Sequence, residues 1–283
     1  MKNKISTLLR NKVINGSRYL YVKYMPGLFD SFLVTEYPKS GGTWLGQLLS
    51  GYFNVPFPRN KFPSLKMSVI HGHYLPSNSS KKIKKIFRIY RDGRDVMVSS
   101  YYHNLIWNEK NIKTPKDVLY YRKKLCFTDI MDIKVNLPKY IEFIFTHTPS
   151  PIVRFGFEGN WASFNNRWNR YYEKGDRHNL INTSYEKLLN DTKKELVRLI
   201  SEINGEEADL LRVEQIVQRY SFKNQANRVQ GVEKKNSFLR KGIAGDWKNN
   251  FSKESAEIFN YYAGEMLMEL GYEKDKEWVK DVE

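Results

Sequence analysis

Three short stretches carry the residues best suited to chemistry. The first is Tyr37-Pro-Lys-Ser-Gly-Gly-Thr-Trp44. A glycine loop between a strand and a helix turns backbone N–H groups toward one point, and the helix dipole favours an anion there. Lys39 and the hydroxyls of Ser40 and Thr43 add charge and donors around Gly41 and Gly42. This is not a Walker A loop, because the lysine precedes the glycines and the chain contains no Gly-Lys pair. An ordinary tight turn is the plainer alternative. The second stretch runs from Tyr90 to Ser99, with Arg91 at the end of a strand and Ser99 two helical turns later. A guanidinium fork plus a hydroxyl suits a second phosphate. The alternative pairs Arg91 and Arg94 with Asp92 and Asp95 at the surface. The third is Leu239-Arg-Lys-Gly-Ile-Ala-Gly-Asp-Trp247, where Arg240, Lys241 and the N–H of Gly242 form a compact cationic loop. Its Gly-x-x-Gly spacing also occurs in KH-type RNA binders, and a solvent loop is the alternative.

Two histidines, His71 and His73, lie between the first two stretches. A histidine near a transfer centre acts as general base at neutral pH; the usual alternative is a hydrogen-bonded structural role, which is also the reading for His103, His147 and His178. The histidines and the single cysteine, Cys126, offer no metal-ligand spacing, so no metal is expected.

Positioning these groups takes strands and helices in alternation. Residues 31–36 read as a buried strand, 38–42 as a turn, and 44–53 as a helix with Leu45, Leu48, Leu49 and Tyr52 at helical spacing. Residues 86–90 form a second strand, and Asp92 and Asp95 open the following helix. Residues 161–173 form an aromatic helix carrying Phe164, Trp168, Tyr171 and Tyr172. A strand over 180–183 ends in a capping box from Thr183 to Glu186, and a second box from Thr192 to Glu195 opens another helix. A long helix over 254–270 stops at Gly271. Such alternation implies an α/β fold with a parallel sheet covered on both faces.

The 283 residues, 41% of them apolar, suffice for one large α/β domain, and no repeat or linker divides them. No apolar run is long enough to span a membrane, and the basic N-terminus lacks the pattern of a signal peptide. One cysteine fits a reducing, cytoplasmic compartment. The net charge of +16 speaks of partners: a nucleotide, nucleic acid or an anionic membrane. One basic cluster is Lys81, Lys82, Lys84, Lys85, Arg88, Arg91 and Arg94; its lysines read best as a solvated face. Another lies between Arg219 and Lys248.

Together, in this order and spacing, the three stretches resemble the PAPS-dependent sulfotransferase family, from about Leu33 to Leu270. Gly159-Asn-Trp161, Trp168 and Tyr185-Glu186 also fall in its pattern. The resemblance implies a three-layer α/β/α sandwich with a central parallel sheet, akin to the P-loop nucleotide kinases. Over residues 1–283 it implies one sulfotransferase domain, with 1–30 an N-terminal extension and 105–157 a variable acceptor-side region. It implies that the loop with Lys39, Ser40, Gly41, Gly42 and Thr43 holds the 5′-phosphosulfate. Arg91, Ser99, Arg240, Lys241 and Gly242 would take the 3′-phosphate. Trp44, Tyr185 and Phe222 would hold the adenine, His73 would be the base, and Lys39 would stabilise the leaving charge. PAPS would be the co-substrate, PAP the product, and no metal would be needed.

The chain departs from the pattern at several points. The family commonly has a second threonine where Gly42 stands. Cytosolic relatives carry Lys-Thr-His-Leu-Pro where this chain has His71-Gly-His-Tyr-Leu-Pro76, so His71 replaces a lysine and Tyr74 is inserted. The segment that pairs subunits in those relatives has Lys253 in place of a valine, which argues against that dimer. The acceptor class stays open among small molecules, lipids and saccharides, with Tyr101, Tyr102, Trp107, Tyr120 and Tyr121 able to line a pocket or simply to pack. Residues 2–23 are basic enough to touch an anionic membrane. Competing readings are a nucleotide or sugar kinase, a protein that binds PAP or PAPS without activity, and a nucleic-acid binder. A kinase would need Gly-Lys-[Ser/Thr]. A nucleic-acid binder would leave the first loop and the histidines without a purpose, so no nucleic-acid partner is expected.

Overall fold

The computed structural model describes residues 2–25, 27–107, 116–147, 159–173, 179–205 and 207–282. The strands are β1 (Phe32–Thr35), β2 (Val69–Gly72), β3 (Lys85–Tyr90) and β4 (Leu180–Ser184). The α-helices are α1 (Lys2–Tyr24), α2 (Gly42–Phe53), α3 (Gly93–Tyr101), α4 (Lys116–Leu125), α5 (Ile133–Thr146), α6 (Trp161–Glu173), α7 (Tyr185–Asn190), α8 (Thr192–Asn204), α9 (Leu210–Arg219), α10 (Phe222–Ala226) and α11 (Lys253–Glu269). Packing groups the described residues into two compact units. Those up to Tyr90 and in Asn166–Tyr220 form one; those in Arg91–Thr148, Gly159–Asn165 and Ser221–Glu283 form the other.

The first unit is built on a parallel sheet of order β2-β1-β3-β4. Its strands are buried almost throughout, as parallel strands covered by helices must be. Leu45, Leu48 and Leu49 of α2 fall on one face at helical spacing and pack with Phe32, Val34, Phe87 and Ile89 of the central strands. Val34 stands beside His71 in the register and Thr35 beside Gly72, so both histidines emerge where β1 gives way to the glycine loop. Ligands of open α/β sheets gather at this carboxyl end, where strand order reverses. Strand β2 is not legible in the sequence, because Val-Ile-His-Gly offers only two apolar residues.

Two expected capping boxes form differently. Ser184, directly before the first residue of α7, caps that helix, its Oγ accepting from the Lys187 amide, while Thr183 turns inward to donate to Glu195 Oε1 at 2.6 Å. Asp191 caps α8 through the Lys194 amide, a carboxylate being a stronger acceptor than the Thr192 hydroxyl, which instead donates to the Leu188 carbonyl. Lys81, Lys82 and Lys84 are exposed, as a solvated face should be, while Arg88 is buried and donates to Asn169 Oδ1 at 2.7 Å.

In the second unit Asp92 caps α3. Gly93 is required there, since a Cβ would stand 2.6–2.8 Å from the rings of Phe259 and Trp161. The Arg94 guanidinium lies 3.9 Å from the ring centroid of Trp247 and 4.6 Å from that of Trp278, and bonds Asp92 and Glu273 at the edge of its plane. The pairings Arg94–Asp92 and Arg91–Asp95 therefore exist but are buried rather than at the surface. Replacing Arg94 by alanine leaves Asp92 buried without its cation, a change that costs roughly 3–5 kcal/mol. Arg94→Lys is expected to recover less than half of that, because an ammonium cannot stack and fork at once. Urea denaturation of the two variants measures both effects.

The aromatic residues near α3 divide by burial. Tyr101 and Tyr121 are core residues; the Tyr101 hydroxyl donates to the Ile130 carbonyl and accepts from Asn136. Tyr120 is exposed, and Trp107 stacks on His103 with ring centroids 4.7 Å apart. His147 is an exposed residue stacked on Phe143; His178 lies outside the described residues, as does part of the 105–157 region.

Candidate active site

The loop after β1 turns tightly. Lys39 takes φ 75° and Gly41 φ 100°, and the Ser40 amide donates back to the Tyr37 carbonyl. Helix α2 then starts at Gly42, so its positive end meets the loop. Tyr185 follows β4 and packs against Gly41, where a Cβ would come within 2.8 Å of its ring. Trp44 meets Tyr185 edge-on at 6.1 Å, and its Nε1–H donates to the Tyr220 carbonyl at 3.0 Å. Lys39, Ser40, Gly41, Gly42, Thr43, Trp44 and Tyr185 are thus gathered in the first unit. Ser40 is wholly buried, and its hydroxyl has no hydrogen-bond partner among the described residues. A buried hydroxyl is rarely left in that condition unless water or a ligand completes it.

Glu36 and the two histidines close the other side of the loop. The Glu36 carboxylate accepts from the Gly42 amide at 2.6 Å and from His71 Nε2 at 2.9 Å. Burial alone would raise this carboxyl. The hydrogen bond and charge of His71, the charge of His73 and the Gly42 amide outweigh burial and hold it below the usual carboxylate range. His73 Nδ1 lies 2.9 Å from the Glu36 carbonyl oxygen, which can only accept, so the proton sits on Nδ1 and Nε2 is the acceptor of the neutral ring. The two imidazoles meet edge-on at 5.7 Å. Sequence reading missed Glu36 altogether, although an acid directly before Tyr37-Pro-Lys is a visible signal.

The second unit gathers the other predicted residues. Asp95 accepts from the amides of Gly245 and Trp247 at 2.8 and 2.9 Å, and Arg91 Nη2 donates to Asp95 and to the Ile243 carbonyl. The Tyr90–Ser99 stretch and the 239–247 loop are therefore one structure. Phe222 packs against Gly242, where a Cβ would stand 2.5 Å from its ring, and Gly242 takes φ 70°. Ser99 is half-buried on α3. Arg240 sits over the Tyr102 ring at 4.5 Å and pairs with both Glu233 and Asp246; Lys241 also binds Asp246, at 2.6 Å. The loop that reads as cationic thus carries its own carboxylates. Burial raises Asp246, but Lys241 and Arg240 overcome it and hold the acid low. No cluster of metal-ligating side chains occurs among the described residues.

Comparison with known proteins decides the family. The family model of the sulfotransferase domain matches residues 55–271. The chain belongs to the sulfotransferase family. Curated sulfotransferases resemble it along most of their length. Rat sulfotransferase 1E1 is 25% identical over 270 residues, covering 81% of each chain. Sulfotransferase 2A1 of Macaca fascicularis is 24% identical over 276 residues, covering 85% of each. Among solved structures, mouse sulfotransferase SULT7A1 complexed with PAP has a TM-score of 0.63 at 16% identity, covering 96% of both chains. Retinol dehydratase in complex with retinol and PAP has a TM-score of 0.57 at 16% identity, covering 89% of this chain and 85% of its own. The α/β sulfotransferase fold expected from the sequence is therefore the fold of this chain. No helix among the described residues is long and apolar enough to cross a membrane.

Proposed function

We propose that this sulfotransferase moves a sulfuryl group from PAPS to an acceptor hydroxyl or amine and releases PAP, with His73 as general base. The observation that carries this reading is the Nδ1–H of His73 donated to the Glu36 carbonyl, beside a glycine loop at the start of α2. That bond makes Nε2 the basic nitrogen. His71, by contrast, commits its Nε2 to the Glu36 carboxylate.

PAPS supplies an activated sulfuryl group when bound. Its 5′ end suits the loop, where Lys39, Thr43 and the unpartnered Ser40 hydroxyl offer charge and donors. Trp44, Tyr185 and Phe222 offer ring faces to the adenine. Arg91, Ser99, Arg240, Lys241 and the Gly242 amide take the 3′-phosphate, which must compete with Asp246 and Glu233 for Arg240. His73 Nε2 takes the acceptor's proton as its oxygen attacks in line. Lys39 and the loop amides stabilise the charge that gathers on the leaving phosphate; such fixed donors contribute about 3 kcal/mol each to the barrier.

A small molecule is the acceptor class this reading favours, since retinol dehydratase is solved in complex with retinol and with androsterone. The single exposed cysteine, Cys126, accords with a cytoplasmic site of action.

Calorimetric titration with PAP in the absence of metal, beside ATP with Mg²⁺, tests the donor site. Binding of PAP well above that of ATP is expected. Binding of ATP or RNA without PAP overturns the reading.

A further inference from the structure

Glu36 is a buried acid for which the transfer reaction has no use. It is 4% exposed and follows the last residue of β1. It accepts three hydrogen bonds, each from a different part of the site: Gly42 N–H to Oε2, His71 Nε2 to Oε1, and His73 Nδ1 to its carbonyl. A carboxylate beside a loop built for an anion opposes donor binding. Its charge is therefore retained for something other than affinity.

Gly42 shows what that is. A Cβ at this position would stand 2.7 Å from Glu36 Cδ and 2.7 Å from His71 Nε2. The space a loop side chain would fill is occupied by the carboxylate–imidazole pair. Gly42 and His71, two positions at which the chain departs from the family's pattern, both bond the Glu36 carboxylate. Other charged groups hold the pair from outside. The Arg18 guanidinium on α1 donates to the His71 carbonyl. Arg59, after α2, interacts electrostatically with Glu36 and Arg18, and His73 does so with Glu36. The Tyr74 phenol also senses Arg18.

We propose that Glu36 is a positioning residue of the transfer centre: it locks the His71 imidazole and the first amide of α2 into one unit, against which His73 stands, and that unit requires glycine at position 42. This rests on the sulfuryl-transfer reading above. A misplacement of about 1 Å in a reacting centre costs up to about 10²-fold in rate.

The test uses Glu36→Ala, Glu36→Gln, Gly42→Ala and the Glu36→Ala/Gly42→Ala double variant. Three quantities are read: turnover of PAPS with 4-nitrophenol as probe acceptor, PAP affinity by calorimetry, and the imidazole N–H signals by long-range ¹H–¹⁵N NMR of the ligand-free protein. Glu36→Ala is expected to lower kcat by up to about 10²-fold, to leave PAP affinity equal or tighter, and to abolish the hydrogen-bonded His71 Nε2–H signal. Glu36→Gln, which keeps an acceptor, recovers part of the rate. Gly42→Ala weakens PAP binding in the wild-type background and is tolerated better when Glu36 is alanine. The proposal is overturned if Glu36→Ala keeps both wild-type kcat and the His71 signal. It is equally overturned if kcat, PAP affinity and Tm fall together, which marks a merely structural residue. Failure of the sulfotransferase reading is distinguishable, because it shows as absence of PAP binding by the wild type, while the His71 signal still reports the pairing.

Discussion

Replacing His73 by alanine is expected to lower the rate of sulfuryl transfer by roughly 10²–10⁴-fold, the range of a lost general base. PAP affinity and Tm should hardly change. His73 is half-buried just after β2 and donates to the Glu36 backbone carbonyl, whereas His71 bonds the Glu36 carboxylate itself. The contrast is with His71→Ala, which removes the imidazole bonded to Oε1 of the buried Glu36 carboxylate and is expected to lower Tm as well. Single-turnover rates and thermal melts on both variants separate the two roles. If His71→Ala loses the rate and His73→Ala keeps it, the assignment of the base is reversed.

The Lys39→Ala/Arg240→Ala double variant is expected to abolish measurable PAP binding. A charge-assisted hydrogen bond to an ionised group contributes about 1.5–3 kcal/mol. Two of them lost at sites too distant in sequence to compensate amount to roughly 10²–10⁴-fold in Kd. The two single variants should differ in kind. Lys39→Ala is expected to slow transfer as well as binding, because it removes a donor from the leaving phosphate. Arg240→Ala acts on binding alone, and by less than its charge suggests, because in the free protein Arg240 is already engaged by Glu233 and Asp246. Calorimetry with PAP at two salt concentrations, together with PAPS turnover, measures the difference. Undiminished PAP binding by the double variant would remove the 5′- and 3′-phosphate assignments together.

The sequence alone determined the parts of this protein that depend on short range. The strand–loop–helix around Tyr37–Trp44 was legible because proline, glycine and the Leu45/Leu48/Leu49 spacing act within a dozen residues. Helix α6 has the bounds that its aromatic periodicity predicts. The order of the three motifs was enough to mark the family, since each motif is a local pattern. Tertiary structure decided everything that depends on which partner a side chain finds. Glu36 meets His71 across 35 residues, and Asp95 meets Trp247 across 152. No periodicity reports such pairs. Strand β2 exists because Val69 to Gly72 finds the open edge of β1, not because of its own composition. Ser184 rather than Thr183 caps α7, and Thr183 and Glu195, the first residue of one expected box and the last of the other, bond each other in the interior. Arg240 and Lys241 count as two charges in the sequence, but in the fold Glu233 and Asp246 share them. The physical reason is common to all of these. Backbone conformation is set largely by neighbours in the chain, whereas the energy of a buried polar group is set by whatever the fold brings within hydrogen-bonding distance.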